Sequence, residues 1–102
     1  MVKIGHKLEH PGAVLWEEFL RPNGITQTRF ARDLDISYQR VNEIINGKRS
    51  IQPDTALRIA RYFSMSAEFW MNWQGAYDLQ SEKEAHGKEI SKIPVFHRGA
   101  VA

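Results

Sequence analysis

Tyr38, Gln39, Arg40 and Glu43 are four hydrogen-bonding side chains within little more than one helical turn, interleaved with the apolar Val41, Ile44 and Ile45. On the outer face of one short helix, phenol, amide, guanidinium and carboxylate groups form a set that can read base edges in a DNA major groove. Other chemistry is poorly provided for. His6 and His10 stand four apart, but Pro11 follows at once and no carboxylate joins them at helical spacing. Zinc needs three or four ligands, so no metal site is expected. Glu17 and Glu18 are adjacent, about 100° apart around a helix, without a nucleophile or a glycine-rich phosphate loop. They read as a solvated face or as a contact for a basic protein, and neither a catalytic residue nor a cofactor is expected. The absence of Cys removes disulfides, thiolate metal sites and cysteine nucleophiles.

Charge supports a polyanion partner for the middle of the chain. Residues 21–61 hold eight bases (Arg21, Arg29, Arg32, Arg40, Lys48, Arg49, Arg58, Arg61) and four acids (Asp33, Asp35, Glu43, Asp54), whereas the whole chain carries only +2. With 102 residues, 42% of them hydrophobic, residues 1–102 are expected to form one small domain. The start lacks the apolar core and cleavage site of a signal peptide, and no apolar run approaches the roughly 18 residues that span a bilayer. The expectation is a cytoplasmic protein with neither a membrane nor a small-molecule partner.

These residues need elements to position them, and the apolar spacing predicts five helices in an all-α fold. Val14, Leu15, Phe19 and Leu20 after Pro11 predict a helix over 12–20. Thr26 is an N-cap for a helix over 27–34 with Phe30, Ala31 and Leu34 inward. Ser37 is an N-cap for a helix over 38–46, with Gly47 in place for a left-handed C-terminal cap. Pro53 and Asp54 open a helix over 53–63 with Ala56, Leu57, Ile59, Ala60 and Phe63 inward. Phe69, Trp70, Trp73, Ala76, Tyr77 and Leu79 give a helix over 67–84 a wide apolar face. The tail, about 86–102, is expected to be mobile, and a strand over 90–96 would lack a partner within the chain.

Two short helices joined by about three residues have the spacing of a helix-turn-helix over 27–46. Gln27-Thr-Arg-Phe-Ala31 followed by Ile36 through Arg49 resembles the phage-repressor (Cro/C1, XRE) helix-turn-helix. More narrowly, His10-Pro11-Gly12, Glu17-Glu18-Phe19-Leu20, Asn42-Glu43 through Arg49, Asp54 through Arg58, and Glu68-Phe69-Trp70 with Asn72, Gln74, Tyr77, Asp78 and Leu79 resemble the HigA-type, VapI-like antitoxins. The match spans about residues 10–79. One departure is Asp35 at the turn position usually held by Gly, where Asp tolerates a left-handed backbone less readily.

The resemblance implies a homodimer that binds double-stranded operator DNA, represses its own operon and neutralises a HigB-type, RelE-class mRNA-cutting toxin. It places Gln27, Ser37, Asn46, Lys48 and Arg49 on phosphates. Tyr38, Gln39 and Glu43 fall on base-reading positions, with Arg40 on guanine or phosphate; Gln39 suits adenine and Glu43 cytosine. Phe69, Trp70, Trp73 and Tyr77 are expected at a subunit interface on a long C-terminal dimerisation helix, since so small a bundle cannot easily enclose all its aromatic residues. Residues 1–10 with the first helix, or else the tail, are the expected toxin contacts. A repressor without a toxin and a helical protein-interaction adaptor are the alternatives.

Overall fold

A computed structural model describes residues 8–100; His6 and the rest of residues 1–7, with their expected toxin contacts, lie outside the described residues, as do Val101 and Ala102. Helix α1, Pro11–Val14, runs on as a π-helical segment Leu15–Leu20 and a 3-10 turn Arg21–Asn23. Then come α2, Gln27–Leu34, α3, Tyr38–Ile45, α4, Pro53–Phe63, and α5, Ala67–Ile90. No strand occurs among the described residues. One core of Leu15, Leu20, Phe30, Ile44, Ile59 and Trp70 joins all five helices. Among the described residues, no helix is long and apolar enough to cross a membrane.

The first helix differs in kind from the α-helix expected. Val14 and Phe19, like Leu15 and Leu20, are five residues apart, too far around an α-helix to share a stripe. The wider turn, in which the Arg21 N–H donates to the Trp16 carbonyl, brings residues five apart nearly into line. That spacing was the signal. His10 caps the helix, its Nδ1 accepting from the Gly12 N–H at 2.9 Å. Gly12 then lets α1 lie on the end of α3: a Cβ there would stand 1.7 Å from the Ile44 carbonyl oxygen.

The caps of α2 and α3 form as their sequences dictate. Thr26 accepts from the Arg29 N–H at 3.1 Å and Ser37 from the Arg40 N–H at 3.0 Å. Asp35 takes the left-handed conformation, φ 57° and ψ 47°, and the Ile36 N–H closes back on the Ala31 carbonyl at 3.0 Å. Gly47 is left-handed, at φ +75°.

One inward assignment fails. Leu57 is 63% exposed, because Ala56, Ile59 and Ala60 define the buried stripe of α4 and position 57 lies about 100° off it. On α5, Leu79 of the expected apolar face is 69% exposed. Helix α5 also runs six residues past Glu84, since Gly87 alone does not stop it and His86 bridges Glu82 and Glu89 along one face. Ile93, Val95 and Phe96 beyond it are exposed.

Candidate nucleic-acid interface

Helix α3 is anchored by Val41 and Ile44, both 1% exposed, with Ala31 of α2 packed behind them. The face turned away from that core carries Tyr38 (52% exposed), Gln39 and Glu43, with Asn46, Lys48 and Arg49 exposed just past its end. Sequence reasoning therefore gathered these residues onto one surface. It did not foresee how they bond to one another.

Glu43 is the hub. Its Oε2 accepts from Gln39 Nε2 at 3.1 Å, and its Oε1 accepts from Arg49 Nε at 2.8 Å, with Arg49 Nη2 at 2.7 Å. These donors, Arg49 before Gln39, hold the carboxyl below the usual carboxylate range, so it is charged at neutral pH. Arg49, expected on phosphate, is thus the counter-ion of Glu43, a residue expected to read bases. Arg40 turns back toward α4, its Nη1 3.2 Å from Asp54 Oδ2. Ser37 uses its hydroxyl oxygen as the cap acceptor, and Asn46 Nδ2 donates to the Asn42 carbonyl at 2.8 Å.

Three further sets of contacts position this surface. Asn42 Nδ2 donates to Gln27 Oε1 at 3.0 Å, tying the start of α2 to the middle of α3. Asp54 holds Arg40 and also receives Arg58 Nε at 3.1 Å, while Arg58 Nη1 donates to the Leu34 carbonyl at 2.8 Å and so caps α2. Gly12 sets the seat of α3. A polar Asn on the inner flank of α3 was a legible signal for the first; the other two are contacts over long sequence separations.

The aromatic residues of α5 need correction. Trp70, expected at a subunit interface, is fully buried, its ring 5.1 Å from Phe19 and 5.0 Å from Phe69. Trp73 is half-buried and donates its Nε1–H to the Glu9 carbonyl at 2.8 Å, and Tyr77 meets the His10 ring edge-on at 5.1 Å. Phe69 stays 38% exposed. The cause is the chain from Leu8 through α1, which lies along α5 and covers most of this face.

A capped helix pair offering a polar, partly basic face beside an enclosed core defines a helix-turn-helix DNA-binding protein. The helix-turn-helix family HTH_3 matches residues 17–70. Virulence-associated protein I of Dichelobacter nodosus is 45% identical over 74% of this chain and 69% of its own length. Antitoxin HigA-1 of Vibrio cholerae is 33% identical over 83% of this chain and 81% of its own. The structure of Pseudomonas aeruginosa antitoxin HigA with the higBA promoter superposes with a TM-score of 0.86 at 40% identity, covering 89% of this chain and all of that one. The chain belongs to the HigA-type, VapI-like family of DNA-binding helix-turn-helix antitoxins.

Proposed function

We propose that this protein binds the DNA upstream of its own gene as a homodimer, represses that promoter, and neutralises a basic mRNA-cleaving toxin of the HigB type. The observation that carries the DNA reading is the outward face of α3, with Tyr38 and Gln39 exposed and Glu43 half-buried, flanked by Gln27, Asn46, Lys48 and Arg49. Each subunit lays α3 into one of two successive major grooves, about 34 Å apart on one side of the duplex. Gln39 pairs with adenine and Glu43 accepts from a cytosine amino group, while Gln27, Ser37, Asn46 and Lys48 hold phosphates. Arg49 keeps Glu43 charged and oriented until DNA arrives and then shares itself with the backbone. Arg40, drawn aside by Asp54, reaches a base or a phosphate only after that pair opens.

Two recognition helices on one side of DNA bring together the edges beside α3, so the subunit contact is assigned to α4 instead of Phe69, Trp73 and Tyr77. Leu57 stands out there, beside an open cleft of about 370 Å³ that Asp33, Asp54, Arg58 and Arg61 line with both signs of charge. Mixed charge suits a two-fold contact, in which each patch meets its own copy.

An electrophoretic shift on the upstream DNA against a scrambled duplex, at low and high salt, tests the reading. The wild type should prefer the upstream DNA and weaken steeply with salt. Gln39→Ala should lose about 1–3 kcal/mol, confined to the operator. Lys48→Ala should weaken both duplexes alike and lower the salt slope by about 1. Equal binding to both duplexes by the wild type would overturn it.

A further inference from the structure

Residues 8–20 and 62–82 contain no Lys or Arg, yet they hold Glu9, Glu17, Glu18, Glu68, Asp78 and Glu82. The fold lays these two segments side by side. The Leu8 N–H donates to Gln80 Oε1 at 2.7 Å, Trp73 Nε1 donates to the Glu9 carbonyl, and Phe19 reaches Phe69 at 6.4 Å between ring centroids. The result is a surface on α1 and α5 with Trp16, Phe19 and Trp73 half-buried, Phe69 more open, and Glu9, Glu18 and Glu68 exposed around them. At its margin Arg21 is already neutralised by Glu17, at 2.9 Å. Asp78 belongs to the other flank, where it accepts from Gln74 and lines a small cleft with Lys48 and Arg49.

We infer that this acidic, aromatic face of α1 and α5 is the docking surface for a basic protein, and, on the reading that the chain neutralises a toxin, that the toxin binds here. Rigid aromatic groups supply the anchors that dominate such interfaces, and a rim of one sign steers a partner of the other. Three rival occupants are disfavoured by the same residues. DNA and anionic lipid meet carboxylates with no base among them. A second copy related by a two-fold axis would set this acidic patch against itself, bringing Glu18 and Glu68 close to carboxylates of the other copy, a like-charge contact. Glu68 stays charged, because the Ser66 hydroxyl donates to it at 2.8 Å and holds it below the usual carboxylate range. Since none of these side chains belongs to α3, the face remains open on a DNA-bound subunit.

The test is calorimetric titration of the full chain with a catalytically inactivated form of the HigB-type ribonuclease encoded beside its gene, at low and high salt. Glu18→Lys with Glu68→Lys should weaken binding by about a hundredfold and remove most of its salt dependence. Phe69→Ser, which leaves charge unchanged, should weaken it about tenfold at either salt. Preference for upstream over scrambled DNA should persist in every variant, which shows that each one folds. Wild-type affinity in both variants would overturn the surface assignment and leave the toxin reading standing. No capture by the wild type would overturn both. A change from dimer to monomer in sedimentation of the charge variant would make the face a subunit contact and overturn the inference.

Discussion

The α2–α3 pair and the α1–α5 pair are joined by opposite means. The first is fixed by local devices: two hydroxyl caps, a left-handed Asp35 and an Ile36 closure, all within 12 residues from Thr26 to Ser37. Its outer side chains are then available for a ligand, and even their mutual bonds are short-range, as in Gln39 to Glu43. The second pair is fixed by contacts between residues more than 45 positions apart, the Phe19 ring against Trp70 and the Trp73 indole N–H on the Glu9 carbonyl. Local fixing leaves a surface free to read DNA, and long-range fixing makes the core that holds this surface still.

The largest effect separating the two roles is expected within α5. Trp70→Ala should cost about 3–5 kcal/mol in urea unfolding, the loss typical of a buried aromatic residue. Phe69→Ala, one residue along, should cost about 1 kcal/mol or less because its ring is already open to solvent. Trp70 Nε1 is buried without a hydrogen-bond partner among the described residues, so Trp70→Phe removes an unsatisfied donor and should be far milder than alanine. Equal losses for Trp70→Ala and Phe69→Ala would return Trp70 to the surface role first assigned to it.

Gly12→Ala comes next and joins the two regions. Alanine favours a helix over glycine by about 1 kcal/mol, so an exposed site would gain stability. Here the new methyl meets the backbone of Ile44, with the carbonyl oxygen at 1.7 Å and its carbon at 2.5 Å, and no side-chain motion relieves it. A net loss of about 2–3 kcal/mol is expected in thermal unfolding, with weaker operator binding because α3 is displaced. A stabilised Gly12→Ala with full DNA affinity would show that α1 does not set the seat of α3.

How far the sequence revealed this molecule follows the same division. Helices α2, α3 and α4 were legible to within a residue, since their caps and stripes are written in adjacent positions. The outward placement of Tyr38, Gln39 and Glu43 was legible too, because side chains that interrupt an apolar stripe must face outward. Trp70 was misplaced because hydrophobicity marks a residue as buried without saying whether its own chain or another covers it. The chain from Leu8 through α1 does so, more than 50 residues away. Arg49 as the partner of Glu43, Asp54 as the partner of Arg40, and Gly12 as a contact site were hidden for the same reason: composition names the groups and only the fold pairs them.

The smallest effect lies where the two regions touch, at His10. Its Nδ1 must be unprotonated to accept from the Gly12 N–H, and its ring lies 3.7 Å from the place a Cβ would take on Gly47, just past α3. Burial lowers its pKa below the ordinary 6.5, and the nearby Asp78 carboxylate offsets only part of that. The unfolded chain therefore takes up the proton first as pH falls, so this contribution is full above about 6.5 and is lost below it. The depressed carboxyls of Asp33, Glu43 and Glu68 titrate in a lower range. The melting temperature should drop between about pH 7.5 and 5.5, and His10→Asn, which keeps a cap acceptor that does not titrate, should flatten that slope. An unchanged slope in His10→Asn would mean that the cap joining α1 to the end of α3 contributes nothing to stability over this range.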